Sequence, residues 1–146
     1  MDGRKRRRPV TRDRGDAMTP ELEALALRAV ACPRWRWMSG MLRTGGTRLC
    51  KYDGRVRWTA IQGGMPDLTD PATLGCLLAL VREVYGSPSL YCRLSSTTRA
   101  SDGIRAWEVI GYLDASRSPD GRGGSFRGWG YASEAEALVA TLEAAP

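Results

Sequence analysis

The strongest constraint on this chain is the order in which its hydrophobic period changes. Helical spacing gives way to strand alternation, returns, gives way again and returns once more, so the expected order is α, ββ, α, βββ, α. The last three strand candidates are joined by segments short enough for antiparallel neighbours. Helices that interrupt runs of strands argue for an α+β fold and against an alternating doubly wound sheet. The expected architecture is a single antiparallel sheet of about five strands with three helices packed on it.

Each helix carries its own start signal. Thr19 is placed to cap a first helix, with Pro20 at its first position and Glu21 and Glu23 where the helix dipole favours negative charge. Leu22, Leu25, Ala26 and Ala29 form its apolar stripe, and Pro33 ends it. Asp70-Pro71 opens a second helix that runs to Tyr85 and stops at Gly86. Its main stripe is Leu74, Leu77, Leu78, Val81 and Val84, widened by Cys76 and Leu80; Gly75 reads as room for another backbone. Ser133 and Glu136 form a capping box ahead of Ala135, Leu138, Val139 and Leu142.

The strand signals are of two kinds. Residues 47–52 and 55–60 flank Asp53-Gly54, a two-residue hairpin turn; Val56, Trp58 and Ala60 fall on one face, Arg55, Arg57 and Thr59 on the other. Residues 90–95, 105–113 and 125–131 then read as a meander. The stretch Arg34-Trp35-Arg36-Trp37-Met38 fits a strand or a helical turn equally, with its rings over the end of the first helix.

Charge is distributed unevenly. The chain of 146 residues has a net charge of +6, with 20 Arg, 2 Lys and no His. Seven basic residues, Arg4, Lys5, Arg6, Arg7, Arg8, Arg12 and Arg14, meet only three acidic ones in the first sixteen positions. Almost nothing there can be buried, so residues 1–17 are expected to be a disordered Arg-rich tail on a single domain over residues 18–146. Three readings of this segment stay open. It is an arm for phosphate backbones or an anionic surface, or a solvated tail, or a stretch upstream of a true start at Met18.

The same inventory narrows the chemistry. Without His there is no Ser-His or Cys-His pair and no imidazole base. Asp67 and Asp70 lie close, but Asp70 reads as a helix cap, and Glu108 is expected to be exposed in mid-strand. Cys32, Cys50, Cys76 and Cys92 contain no CxxC pair, and they read as reduced thiols packed as small apolar groups. The chain is therefore expected to be a non-enzymatic protein with no cofactor and no metal. The basic start leads into polar residues rather than an apolar h-region, and the longest strongly apolar run, residues 76–81, is far too short to span a bilayer. Residence in the cytoplasm of a bacterial host cell, without membrane contact, is the expectation.

Three stretches carry a family resemblance. They are the leading helix and Trp-bearing segment from Leu22 to Trp37, the Met-Pro-Asp-Leu-Thr-Asp run from Met65 to Asp70 entering a helix, and the terminal segment from Ser133 to Ala144 after an aromatic strand. Over about residues 19–145 the chain resembles small phage and prophage proteins of the phage ABA sandwich domain type. The resemblance implies a phage accessory protein with an α/β/α layered fold. Small phage proteins of this kind often act on host partners, including antiviral systems.

Two binding surfaces follow. The first takes a host protein or a small ligand on an aromatic and Arg-rich surface made of Arg57, Trp58, Arg127, Trp129 and Tyr131. Strict alternation would put Arg127, Trp129 and Tyr131 on one strand face, while Trp58 and Trp107 are expected in the core. The alternative is a nucleic-acid-binding module using Arg4, Lys5, Arg6, Arg7, Arg8 and Arg122. The glycine-rich run at residues 121–130 reads either as an RGG-like contact or as a turn into an edge strand, with Gly128 and Gly130 permitting a bulge.

Overall fold

A computed structural model describes residues 18–52, 55–56, 64–98, 105–113 and 124–145. The elements follow the expected order: α1 (Pro20–Ala31), β1 (Lys51–Tyr52), β2 (Arg55–Val56), α2 (Pro71–Tyr85), β3 (Tyr91–Thr98), β4 (Arg105–Leu113), β5 (Gly124–Tyr131) and α3 (Glu134–Glu143). The α+β class stands. The sheet against the helices is smaller than expected: β3, β4 and β5 form an antiparallel meander, while among the described residues β1 and β2 pair only with each other. Residues 1–17, and with them the tail reading, lie outside the described residues.

The caps form as their residue types dictate. Thr19 Oγ accepts from the amide of Leu22, Asp70 Oδ2 from that of Thr73, and Ser133 Oγ from that of Glu136. Glu136 turns back to accept from the amide of Ala132, one residue earlier than in a standard capping box. Gly86 ends α2 in the left-handed conformation.

At the centre is α3. It packs on α1, on α2 and on all three strands of the meander. That position explains why Ala135, Ala137, Leu138, Val139, Thr141 and Leu142 are all buried, a wider band than the expected stripe. Between α2 and α3 the Tyr85 hydroxyl donates to the Thr141 carbonyl at 3.0 Å. Full burial of each of Leu138, Val139 and Leu142 contributes roughly 1.5–3 kcal/mol. The buried side of α2 is rotated slightly from the expected one: Thr73, Leu77, Leu80, Val81 and Tyr85 are inside, with Leu74, Leu78 and Val84 at the margin.

Helices and sheet share a core cluster, with Met41, Leu49 and Ala106 buried outside it. From the sheet it takes Val109, with Cys92, Trp107 and Tyr131 packed against it, and the rest comes from the helices and the segments leading to them. None of Tyr91, Arg93, Glu108, Ile110 or Tyr112 belongs to it. Among the described residues the helices therefore cover one face of the sheet, where the family resemblance implies layers on both. Gly111 sits on the covered face, where a Cβ would come within 3.0–3.1 Å of the Leu90 side chain.

The Trp-bearing segment is neither strand nor helix, and its Trp35 and Met38 pack against the core. Trp35 and Trp37 meet edge to face, with centroids 5.6 Å apart and planes at 81°. Arg36 pairs with Glu83 of α2, and Arg28 of α1 pairs with Glu143 of α3 at 2.6 Å. Residues 39–49 fold over the start of α2, and Arg48 fastens them there with donors to Asp70 Oδ1 at 2.7 Å, Asp70 Oδ2 at 3.0 Å and the Gly40 carbonyl at 2.5 Å. The Arg48 guanidinium, together with the bonds from Thr73, holds the Asp70 carboxyl down at about 2, against an ordinary 3.8.

Two outcomes follow. Because the folded Asp70 holds its proton less tightly than the unfolded one, its contribution is complete above about pH 4 and disappears as the pH falls toward about 2. Thermal melts of wild type and Arg48→Gln should therefore differ at pH 6 and converge near pH 2; an unchanged difference across that range contradicts the strap. Gly75 has nothing within 4 Å of a Cβ position, so it makes no room for another backbone and its helix gains from a side chain. Gly75→Ala should raise stability by about 0.5–1 kcal/mol in urea unfolding.

Candidate functional site: an open sheet face

Register decides what the uncovered face carries. Arg93 of β3 pairs with Glu108 of β4, Tyr91 pairs with Ile110, and Ile110 pairs on its other side with Arg127 of β5. Alternation then puts Tyr91, Arg93, Glu108, Ile110, Tyr112 and Arg127 on the same face, away from the helices.

At its centre is a buried carboxylate. The Glu108 side chain is 1% exposed, although it stands on the open face and was expected to be exposed. Two arginines explain the difference. Arg93 Nε donates to Oε1 at 2.7 Å, while Arg127 donates through Nε at 2.9 Å and Nη2 at 2.6 Å to Oε2. The two pairs reach the carboxylate from both neighbouring strands. Burial alone raises the Glu108 pKa; the bonds from Arg93 and Arg127 outweigh it and hold the group below its ordinary range. Glu108 therefore stays charged at neutral pH.

The arginines themselves remain at the surface, with side chains 49% and 55% exposed. A guanidinium has five N–H donors. Glu108 takes one from Arg93 and two from Arg127, so it occupies only part of either head. The Arg93 head also lies 5.8 Å from the centroid of the Tyr91 ring. Tyr91 and Tyr112 are 39% and 66% exposed, so two aromatic rings and two cations share this face.

A bulge redirects the end of β5. Glu108 pairs with Trp129 and Trp107 with Tyr131, which leaves Gly130 as the extra residue, at a φ of 95°. The insertion flips Tyr131 to the helix-covered face, where it packs against the core. The expected grouping of Arg127, Trp129 and Tyr131 on one face is thus corrected: Arg127 is on the open face, and Tyr131 is not. Trp129 holds the register position opposite Glu108. Arg57, Trp58, Arg122 and the basic residues Arg4, Lys5, Arg6, Arg7 and Arg8 lie outside the described residues.

Sequence reading missed Tyr91, Arg93 and Tyr112 and misjudged Glu108. A signal existed in the alternation of Tyr91 with Arg93 and of Glu108 with Tyr112, but only the pairing register joins the two strands.

The remaining polar features are separate from this face. Cys32 is buried, Cys50 is exposed, and Cys76 and Cys92 are half-buried free thiols. Burial pushes the Cys92 thiol up to about 12. Among the described residues no three Cys, Asp or Glu side chains converge on a metal position, and no helix is long and apolar enough to cross a membrane. A cleft of about 510 Å³ lies between the start of α1 and the 44–45 turn, lined by Met18, Thr19, Leu22, Thr44, Gly45, Asp67 and Thr69. No family model matches the chain, and neither a curated protein nor a solved structure does.

The cluster makes Glu108 a structural residue as well as an anchor. Glu108→Ala removes the buried acceptor that holds both arginines, so it should cost about 1–3 kcal/mol in chemical denaturation. A neutral result would show that the arginines are not tied to it.

Proposed function

We propose that this protein is a non-enzymatic phage-type accessory protein that binds a host protein through the open face of its sheet. The observation that carries the reading is the combination of Tyr91, Arg93, Tyr112 and Arg127 on a sheet face that no described helix covers. Tyrosine and arginine dominate the energetics of protein interfaces, because both combine large contact area with directional polar groups. Here the arginines are already fixed by Glu108, so less side-chain freedom is lost on docking. The resemblance to phage accessory proteins supports a host target, and interference with host defence fits that setting.

Nucleic-acid binding is the second reading. It draws on the Arg-rich first sixteen residues and on the pairing of exposed rings with cations on a sheet. It requires affinity for single-stranded DNA or RNA that falls steeply with salt and loses slope when residues 1–17 are deleted.

Quantitative pull-down from a native host lysate separates them. Wild type should retain a protein partner after nuclease treatment, and Tyr112→Ala should reduce its recovery about tenfold while leaving the melting temperature unchanged. Recovery that is unaffected by Tyr112→Ala, or that disappears with nuclease, contradicts the protein-docking reading.

A further inference from the structure

We infer that the Arg93–Glu108–Arg127 cluster is a receptor for a carboxylate side chain on an acidic protein partner, held between the two guanidinium heads with Tyr91 and Tyr112 flanking it. The inference rests on the reading of the open face as the docking surface and adds the chemistry that the surface selects.

The charge balance is the first argument. Two guanidinium groups surround one carboxylate, so the cluster carries a single net positive charge. Glu108 is buried and already neutralised, while about half of each arginine side chain stays exposed to solvent. An acceptor approaching from solvent finds two heads whose spacing is set by a common anchor, an arrangement that suits a planar carboxylate. Glu108 is a positioning residue here: it touches no partner, but it sets where both heads stand.

The same balance discriminates between occupants. A phosphate backbone presents a charge at every nucleotide and needs a track of cations to follow it. Arg93, Arg127 and Glu108 offer one net charge at one point, which matches one acidic side chain. A second copy of this face would set Arg93 and Arg127 against the same pair, so like charges would meet. Flanking rings at Tyr91 and Tyr112 supply the apolar surround that excludes water from such a contact.

The test uses the full chain and a randomised 12-residue peptide library displayed on yeast, with a labelled (dT)20 oligonucleotide as the second probe. Selected peptides should be enriched in Asp or Glu at one position. Replacing that residue by Asn or Gln should weaken binding about tenfold, and so should Arg93→Gln or Arg127→Gln. Glu108→Gln should also weaken it, whereas Arg28→Gln, in the distant pair with Glu143, should not. Peptides without an acidic preference whose binding is still lost on Tyr112→Ala would overturn carboxylate recognition and leave the docking surface standing. Peptides insensitive to all of the open-face substitutions would overturn both. Tighter binding of (dT)20 than of any peptide, lost on Arg93→Gln, would assign the cluster to nucleic acid and overturn the inference.

Discussion

The burial of α3 on two sides governs the rest of the molecule. A helix of ten residues lies against three strands on one side and against α1 and α2 on the other, so both of its faces are used within the chain. Tyr85 of α2 ties the two helices by donating to the Thr141 carbonyl. With α1 and α2 engaged on α3, all three helices contribute to one cluster on one side of the meander. The second face of the sheet receives no helix among the described residues. That face carries Tyr91, Tyr112, Arg93 and Arg127 around Glu108 and Ile110.

On that second face an ionised group must be accommodated without a covering layer. Leaving a carboxylate in a dry strand environment is costly, and a single surface ion pair contributes little. The chain resolves the conflict by placing Arg on both neighbouring strands: Arg93 pairs with Glu108 itself, and Arg127 pairs with Ile110, two positions along and on the same face. The result is a cluster rather than an isolated pair, in which the fixed carboxylate limits the freedom of both long side chains. Its outward side is rigid, cationic and flanked by rings. The Arg48–Asp70 strap repeats the principle elsewhere, where a bidentate guanidinium joins an irregular segment to a helix cap.

Elements governed by local chemistry were legible in the sequence. Thr19, Asp70 and Ser133 cap the helices as their side chains require, and β4 occupies the expected residues 105–113. The pairing of Lys51 with Val56 and Tyr52 with Arg55 fits the two-residue Asp53-Gly54 connection. What depended on long-range register was not legible. Glu108 looks like a solvated strand residue until Arg93 and Arg127 are known to flank it across two strands. Tyr131 looks like a neighbour of Arg127 until Gly130 is counted as an inserted residue; the glycine signal was visible, but its effect on the face was not. Gly75 looked like a contact point, and its surroundings are open.

The meander packs one face on the helices, and no described helix covers the other. Tyrosine nitration mapped by mass spectrometry reads this directly, because the described tyrosines divide between the two sides. In the free protein Tyr112 and Tyr91 should react, Tyr112 faster, while Tyr85 stays unmodified; partner binding should then protect Tyr91 and Tyr112. If Tyr112 in the free protein is as protected as Tyr85, the face is covered and the account is contradicted.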